Sequence, residues 1–421
     1  MNNQADIMRM AESDPDVGLI HKDQTLSGMI AMFPEKEKPA MNDVVGAMAV
    51  YVGEAIEVQK EALPSEPPVE WAYRIRVPGH NHDMVLWCAQ ATDQPPLEIF
   101  EGNKPDFQWV VGVDALLDYT DPLSSLADLI RMLVTATSRS TAILDLETNR
   151  WHGPGALASY FLNTQLEPPS EMLWLVQSSV NQDDSLFTLY TKGLARCGRR
   201  DLKIQGLHQS QLESAVQLLN AIAAQSVESP LSQPPTTVEI GHHAEVRLRE
   251  PDTESEPKTD NAVPQEQRAA LLMLDAVEET LPTNLLLQLT KGAAALWLPS
   301  RDQARRGQLA RLTLPHFTEI LMDEQSYQDA TYLVQTSLTD GQAREYVWTN
   351  VTTQNEQGFV GELIEDPILE CGPKGGDRMI ISVEAAEDWR IEAGTTIIAP
   401  ENIDLKLIAD STPPDLEGES Q

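Results

Sequence analysis

Short apolar runs separated by turn residues fill the chain between Glu345 and Trp389, and they constrain its fold more than any other feature. Runs such as Tyr346-Val347-Trp348 and Gly358-Phe359-Val360 are a few residues long and are followed by Asn, Gly, Pro or Asp. Segments of this length favour β-strands, because a globular helix needs about ten or more residues to bury an apolar stripe. The pattern therefore predicts short strands joined by turns.

The N-terminal part of the chain combines both kinds of periodicity. Met41–Val52 has apolar residues at helical spacing and predicts a helix, with Asn42 as its N-cap. Residues 71–77 alternate apolar and polar side chains, which predicts a strand with one buried face. Helices mixed with hairpin-like strands indicate an α+β fold with mainly antiparallel sheets. Further along, residues 237–248 predict one closing strand, and residues 268–280 and 302–321 predict helices.

Composition along the chain predicts its domain boundaries. Residues 1–105 form a first α+β unit, and residues 106–249 form a second, which is left open to be one domain with the first. Residues 250–267 are rich in Pro, Glu and Asp and cannot bury enough apolar surface to offset their ordering entropy, so they predict a flexible acidic linker. Residues 268–409 predict a smaller C-terminal α+β domain, and residues 410–421 a disordered tail.

The chain is strongly acidic, with a net charge of −35 over 421 residues. Such a surface repels phosphate backbones and anionic lipids, so we expect no nucleic-acid or membrane partner. The acidity fits a basic protein partner or simply high solubility, and solubility is the commoner explanation. No apolar run approaches the roughly 20 residues of a membrane helix. The three cysteines lie far apart without a CxxC pair, which indicates a reducing compartment and a cytoplasmic, bacterial-type protein.

Several short motifs are similar to those of uncharacterised bacterial families. The region from about 310 to 391 resembles the bacterial domain of unknown function 2314 through Leu314-Pro315 with Phe317, Arg344-Glu345-Tyr346-Val347-Trp348, Gly361-Glu362-Leu363, Asp366-Pro367, Gly376-Asp377 and Asp388-Trp389. The middle part resembles the domain of unknown function 4026 through Ala142-Ile143-Leu144-Asp145-Leu146-Glu147, Trp151-His152 and the segment 191–202. Neither resemblance brings a catalytic motif, so both imply an architecture and not a mechanism.

The cluster His80-Asn81-His82-Asp83 is the candidate metal site. On a strand, His80 and His82 share a face and offer two imidazole ligands of the kind that zinc binds. The alternative is a polar hairpin loop, because Pro78-Gly79 precedes the cluster. A metal site needs a third ligand from elsewhere, and the sequence cannot place one.

Two further groups are candidate partner-binding residues. Arg301, Arg305 and Arg306 form a basic cluster within an acidic chain. The cluster could dock an acidic partner or the protein's own acidic linker, or it could be a solvated helix face. Trp348, Asp388 and Trp389 combine aromatic and acidic side chains; the alternative is that both tryptophans belong to a core.

Nucleophile and base candidates are weaker. Asp145 with His152 has the composition of a general-base pair. Cys197 lies among arginines that favour a thiolate, but packing in a core is the commoner role of a lone cysteine. The GxSxG and P-loop motifs are absent, and we assign no catalytic or cofactor-binding residue and no cofactor.

The sequence thus favours a non-catalytic binding or regulatory protein. One form of this hypothesis is an immunity or inhibitor protein that binds a basic protein. Two alternatives remain: a metal-assisted hydrolase that uses His80 and His82, and a self-associating assembly module.

Overall fold

The fold belongs to the α+β class, as predicted, with several mainly antiparallel sheets and separate helices. The computed structural model describes residues 24–34, 36–61, 69–100, 102–137, 142–162, 166–180, 186–231, 236–242, 244–250, 271–275, 282–291, 295–297, 299–323, 330–340, 343–367 and 372–403. The chain divides into an N-terminal unit (residues 1–162 and 168–299) and a C-terminal unit (residues 163–167 and 300–421). Residues 251–267 of the predicted linker and the predicted tail, 410–421, lie outside the described residues.

The first sheet of the N-terminal unit has the strand order β2-β3-β4-β5-β1-β6-β7. Its strands, all antiparallel to their neighbours, are β1 (Ser27–Phe33), β2 (Glu57–Lys60), β3 (Val69–Arg76), β4 (Met84–Gln90), β5 (Trp109–Ala115), β6 (Ile143–Asp145) and β7 (Arg150–His152). Strand β5 pairs with both β1 and β4. The boundary expected at residues 105/106 therefore separates strands of one sheet, because β5, which follows that boundary in sequence, lies between β1 and β4.

Two helices cover one face of the first sheet, α1 (Met41–Val52) and α2 (Pro122–Thr137). Val44, Val45 and Met48 of α1 are buried, as the helical spacing predicts. The expected cap is displaced: Ala40 occupies the N-cap position without a side-chain hydrogen bond, so Asn42 lies inside the first turn. A short helical segment, α3 (Pro154–Ala156), continues into a π-helical turn at Leu157–Leu162.

The second sheet has the order β14-β11-β12-β13-β10-β9-β8. Its strands are β8 (Leu175–Val180), β9 (Phe187–Lys192), β10 (Asp201–Leu207), β11 (Thr236–His242), β12 (Ala244–Arg249), β13 (Leu271–Asp275) and β14 (Ala295–Leu296). Helix α4 (Leu212–Glu228) packs on this sheet, and α5 (Pro282–Thr290) contacts α4. One continuous buried core joins both sheets of the unit.

Two secondary-structure predictions were wrong in this sheet. The predicted helix at 268–280 contains β13, which pairs parallel with β10 and antiparallel with β12. The periodicity of a short apolar run cannot distinguish a central strand from a buried helix. This segment is a strand because it pairs with β10 on one side and with β12 on the other. The single strand predicted at 237–248 is the hairpin β11–β12, in which His242 ends the first strand and His243 lies outside the described residues.

The C-terminal unit is a six-stranded antiparallel sheet packed against one long helix, α6 (Ser300–Met322). The strands, in the order β18-β17-β16-β15-β19-β20, are β15 (Thr331–Asp340), β16 (Ala343–Asn355), β17 (Gly358–Leu363), β18 (Arg378–Ile381), β19 (Asp388–Ala393) and β20 (Thr396–Ile398). None of the helices in the described ranges is both long and apolar enough to cross a membrane.

Candidate functional site

The two faces of the C-terminal sheet have different environments. Val334, Val351, Phe359, Trp389 and Ile391 point to the face that carries α6 and form its buried core. Because side chains alternate along a strand, the residues between them point to the opposite face. Within the described part of this unit, no helix packs on that second face. We call it the open face and define it by Trp348, Glu362, Ile364, Arg378, Ile380, Asp388 and Arg390.

A tryptophan and an arginine meet at the centre of the open face. The guanidinium carbon of Arg390 on β19 lies 4.6 Å from the ring centroid of Trp348 on β16. Arg390 Nε also lies 2.9 Å from Glu392 Oε1, an ion-pair distance without hydrogen-bond geometry. Ile364 follows β17, and its backbone N–H donates to the Trp348 carbonyl at 3.0 Å, which places Ile364 beside the ring. The result is an amphipathic patch with one cation held over an aromatic ring.

Asp388 is half-buried where the open face begins on β19. Burial raises the pKa of this carboxyl to about 6, and Glu401 adds to the effect. The Trp389 N–H, which donates to Asp388 Oδ1 at 2.8 Å, and the charges of Arg306 and Arg390 partly oppose that rise. Asp388 therefore exchanges its proton closer to neutrality than an exposed aspartate does.

The motif residues after β17 fix the loop that borders the open face. Asp366 Oδ1 accepts the Gly375 N–H at 2.8 Å, and Asp377 Oδ2 accepts the Lys374 N–H at 2.7 Å. Gly376 has φ +84° and donates to the Leu363 carbonyl at 2.8 Å. A left-handed backbone at this turn favours glycine. The Asp366-Pro367 and Gly376-Asp377 motifs thus have a structural role.

Gly361 has a separate role in the pairing of β16 with β17. A Cβ atom at this position would lie 2.1 Å from the Asn350 carbonyl oxygen. The two strands can therefore approach only because the side chain is absent.

Trp389 is not a surface anchor, contrary to its selection as a partner-binding candidate. It is fully buried, and its indole Nε1 donates to Thr313 Oγ1 at 2.9 Å and to the Ala310 carbonyl at 3.3 Å. Neighbouring residues of one strand face opposite sides of a sheet, so Asp388 and Trp389 cannot belong to one surface. Trp348 has the alternative orientation and remains on the open face.

The basic cluster at the start of α6 engages an acidic residue of the same unit. Arg301 Nε and Nη2 lie 2.6 and 3.1 Å from the Glu167 carboxylate oxygens. Arg305 Nε donates to the Glu167 backbone carbonyl at 2.9 Å. Arg306 is exposed and acts electrostatically on Asp388. Two of the three candidate partner-binding arginines thus contact the chain itself.

His80 and His82 lie in the turn between β3 and β4, as the hairpin alternative predicts. The His80 N–H donates to the Val77 carbonyl at 3.1 Å, which closes the turn. Burial lowers the pKa of His80, and the charge of Asp128 partly opposes this. Across the described ranges, no three His, Cys, Asp or Glu side chains come together in a metal-binding arrangement. The metal hypothesis is therefore left without a third ligand in this part of the chain.

A buried ion pair in the N-terminal unit was not predicted. Arg196 follows β9, and its guanidinium contacts the Asp145 carboxylate at the end of β6; both side chains are almost fully buried. Burial alone would raise the pKa of Asp145, but Arg196, Thr148 and His152 together hold it below its ordinary value. The two residues are 51 positions apart in sequence. The charged residues within the apolar segments 142–147 and 191–202 were the sequence signal that could have indicated this ion pair.

The other nucleophile and base candidates are shielded in the same region. Burial raises the pKa of the Cys197 thiol to about 12, and the charges of Arg196 and Arg199 do not compensate. The packing interpretation of Cys197 is thus favoured over a thiolate, because desolvation outweighs the neighbouring arginines. Burial also lowers the pKa of His152 to about 4, so this imidazole is neutral at pH 7.

Comparisons with known proteins give no relative: no family model, no curated protein and no solved structure matches this chain. The resemblances to the domains of unknown function 2314 and 4026 therefore stay predictions. Several of the motif residues that suggested the first of them, such as Asp366, Gly361 and Trp389, have structural roles in loop closure, strand approach and core packing.

Proposed function

We propose that this chain is a non-catalytic binding protein that captures a basic protein partner through the open face of its C-terminal sheet. The observation that carries the proposal is the Trp348–Arg390 pair, half-buried on a sheet face that no described helix covers. An immunity or inhibitor role is one form of this function, in which the partner is held inactive.

The chemistry of the patch supports a protein partner. Tryptophan and arginine dominate the binding energy of protein interfaces because they bury a large area and keep a polar group available. Ile364 and Ile380 add apolar surface, with 45% and 48% of their areas exposed. Arg390 keeps one face of the Trp348 ring ordered, which lowers the entropy lost when a partner covers the other.

The charge around the patch supports a basic partner. Glu362, Glu365, Asp366 and Asp377 are exposed on the open face or on the loop that borders it. The whole chain carries a net charge of −35, which attracts a basic protein at long range and accelerates its association. The negative charge thus accelerates association with the partner, and the aromatic patch supplies the contacts that hold the complex together.

The experiment begins with the full-length chain as bait, and mass spectrometry identifies what it captures at low and high salt. The captured protein is then purified, and its dissociation constant is measured by calorimetry for the wild type and for Trp348→Ala. We expect the substitution to weaken binding at least ~10-fold, as for an interface hot spot. We also expect the association rate to fall steeply with salt.

Trp297→Ala is the control, because Trp297 is a tryptophan of the N-terminal unit that has 49% of its area exposed. It should leave the dissociation constant unchanged. Equal losses for both variants, or none for Trp348→Ala, would reject the open face as the binding surface. An affinity that does not depend on salt would reject a basic partner.

We also propose a cytoplasmic location. The two cysteines with described environments, Cys88 and Cys197, are free and buried. Free thiols fit a reducing compartment. Fractionation of the source cells with an antibody against the chain tests this location.

A further inference from the structure

The edges of the three sheets are protected to different degrees. An edge strand presents unpaired backbone groups, and proteins usually blunt it with shortness or charge. Strands β7, β14 and β20 are two or three residues long. Strands β2 and β18 have four residues and carry charges at Glu57, Lys60 and Arg378. Strand β8 differs from all of these, because it has six residues, Leu-Val-Gln-Ser-Ser-Val, and no charge.

The outer side of β8 is open within the part of the chain that the structure describes. The strand pairs with β9 over its whole length, and no second described strand pairs with it. Ser178 is exposed, and Val180 has 58% of its area exposed. The strand therefore offers a backbone edge of sufficient length for another strand to join.

The exposed apolar residue of this edge is on the core side of the sheet. Ser178 pairs with Leu189, and Val180 pairs with Phe187, and both partners pack toward the core of the N-terminal unit. Val176 packs against the same core. Val176, Ser178 and Val180 thus share one face, and at Val180 this core face reaches solvent.

We propose that β8 is a dimerisation edge, which pairs antiparallel with β8 of a second copy of this chain around a two-fold axis at Ser178. This register places Val180 of each copy opposite Val176 of the other, on the same face of a sheet that continues through both copies. Directly opposed side chains in antiparallel strands lie about 5 Å apart, so each valine covers the exposed area of its counterpart. The inference is independent of partner binding at the open face.

A second copy fits this edge better than the basic partner does. The strand has no acidic side chain with which to select a basic segment. Two chains of net charge −35 repel each other, so self-association requires an uncharged contact, and β8 supplies one. A two-fold axis also lets one strand provide both halves of the interface.

Sedimentation equilibrium of the full-length chain over a wide concentration range, in buffer with enough salt to screen the net charge, tests the proposal. We expect a dimer for the wild type and an increase of at least ~10-fold in the dimer dissociation constant for Val180→Lys. The control is Val58→Lys on the edge strand β2, where Val58 is 39% exposed and charges already flank it. Circular dichroism verifies that both variants are folded.

A wild type that stays monomeric at every concentration overturns the proposal. A dimer that Val180→Lys does not weaken, or that both lysine variants weaken equally, overturns it as well. Ser178→Cys in a Cys371→Ser background tests the register, because Cα atoms opposite each other in antiparallel strands lie within disulfide reach. Rapid formation of a covalent dimer supports pairing at Ser178, and a dimer that does not cross-link there overturns it.

Discussion

Arg196 Nη2 lies 2.9 Å from Asp145 Oδ2, and the two side chains are 0% and 1% exposed. The pair joins the first sheet, where Asp145 ends β6, to the turn between β9 and β10 of the second sheet. Arg196 also donates to the carbonyls of Met172 and Leu173, so most of its donors are satisfied without water. A charge buried in this way depends on its counterpart.

Arg196→Met is expected to destabilise the N-terminal unit by about 3–5 kcal/mol, because it leaves the Asp145 carboxylate buried without a counter-charge. Urea unfolding, followed by circular dichroism, measures the change. The control is Arg76→Met, whose ion pair with Asp83 is on the surface, with 68% of the arginine side chain exposed. Its unfolding midpoint should stay close to that of the wild type, and equal effects would contradict a special role for the buried pair.

Asp201 should make stability depend on pH. Burial raises the pKa of its carboxyl to about 7, although Thr191 Oγ1 and the Leu194 N–H donate to it. The folded state therefore keeps this proton at pH values where the unfolded state has lost it. The stabilisation from Asp201 is fully present below its ordinary pKa, near 4, and is lost as the pH rises toward about 7.

Asp201→Asn isolates this contribution, because asparagine keeps the shape without the titration. Free energies of unfolding from urea titrations at several pH values give the measurement. Relative to Asp201→Asn, the wild type should lose a few kcal/mol between about pH 4 and 7. Parallel pH profiles for the two proteins would contradict the raised pKa.

The same chemical change should have opposite effects at two glycines. Gly361→Ala places a Cβ 2.1 Å from the Asn350 carbonyl oxygen, so strands β16 and β17 must separate. Gly46 is in helix α1 with open space around its Cβ position, and alanine there should stabilise the helix by about 0.5–1 kcal/mol. Hydrogen exchange with mass spectrometry reads each unit separately. Faster exchange in β16–β17 and slower exchange in α1 are expected, and unchanged exchange in β16–β17 would refute the close approach.

Cys197 should be unreactive in the folded protein. Its thiol is fully buried, and its pKa is raised to about 12 by burial. In a Cys371→Ser background, a thiol reagent at pH 8 should modify neither Cys88 nor Cys197 until denaturant is added, since Cys88 is buried as well. Fast modification of Cys197 in the native protein would show that the neighbouring arginines, and not burial, determine the reactivity of this thiol.

Trp389 in the core and Trp348 on the open face should contribute very differently to the stability of the C-terminal unit. Trp389→Ala removes a core side chain and should cost about 3–5 kcal/mol in the C-terminal unit. Trp348→Ala removes a side chain of the open face and should cost much less. Urea titration of both variants compares them, and similar losses would place Trp348 in the core.

Local patterns determined a large part of this architecture. The helical spacing in Met41–Val52 and the short apolar runs between 345 and 363 were sufficient, because an element that buries one face needs a matching period in its own sequence. Turn residues such as Gly376 and Asp377 also marked their loop correctly. These features depend on neighbours a few residues away, which the sequence contains.

Contacts between distant segments decided the rest. The run at Leu271–Asp275 became a strand because β10 and β12 left a place between them. Asp145 and Arg196 meet only after two sheets have formed and excluded water. Strand pairing placed Trp389 in the core and Trp348 beneath Arg390 on the opposite face. The sequence by itself determined elements such as Met41–Val52 and the turn at Gly376; only the tertiary structure decided the state of Leu271–Asp275 and which side chains lose water, because both depend on every segment that packs nearby.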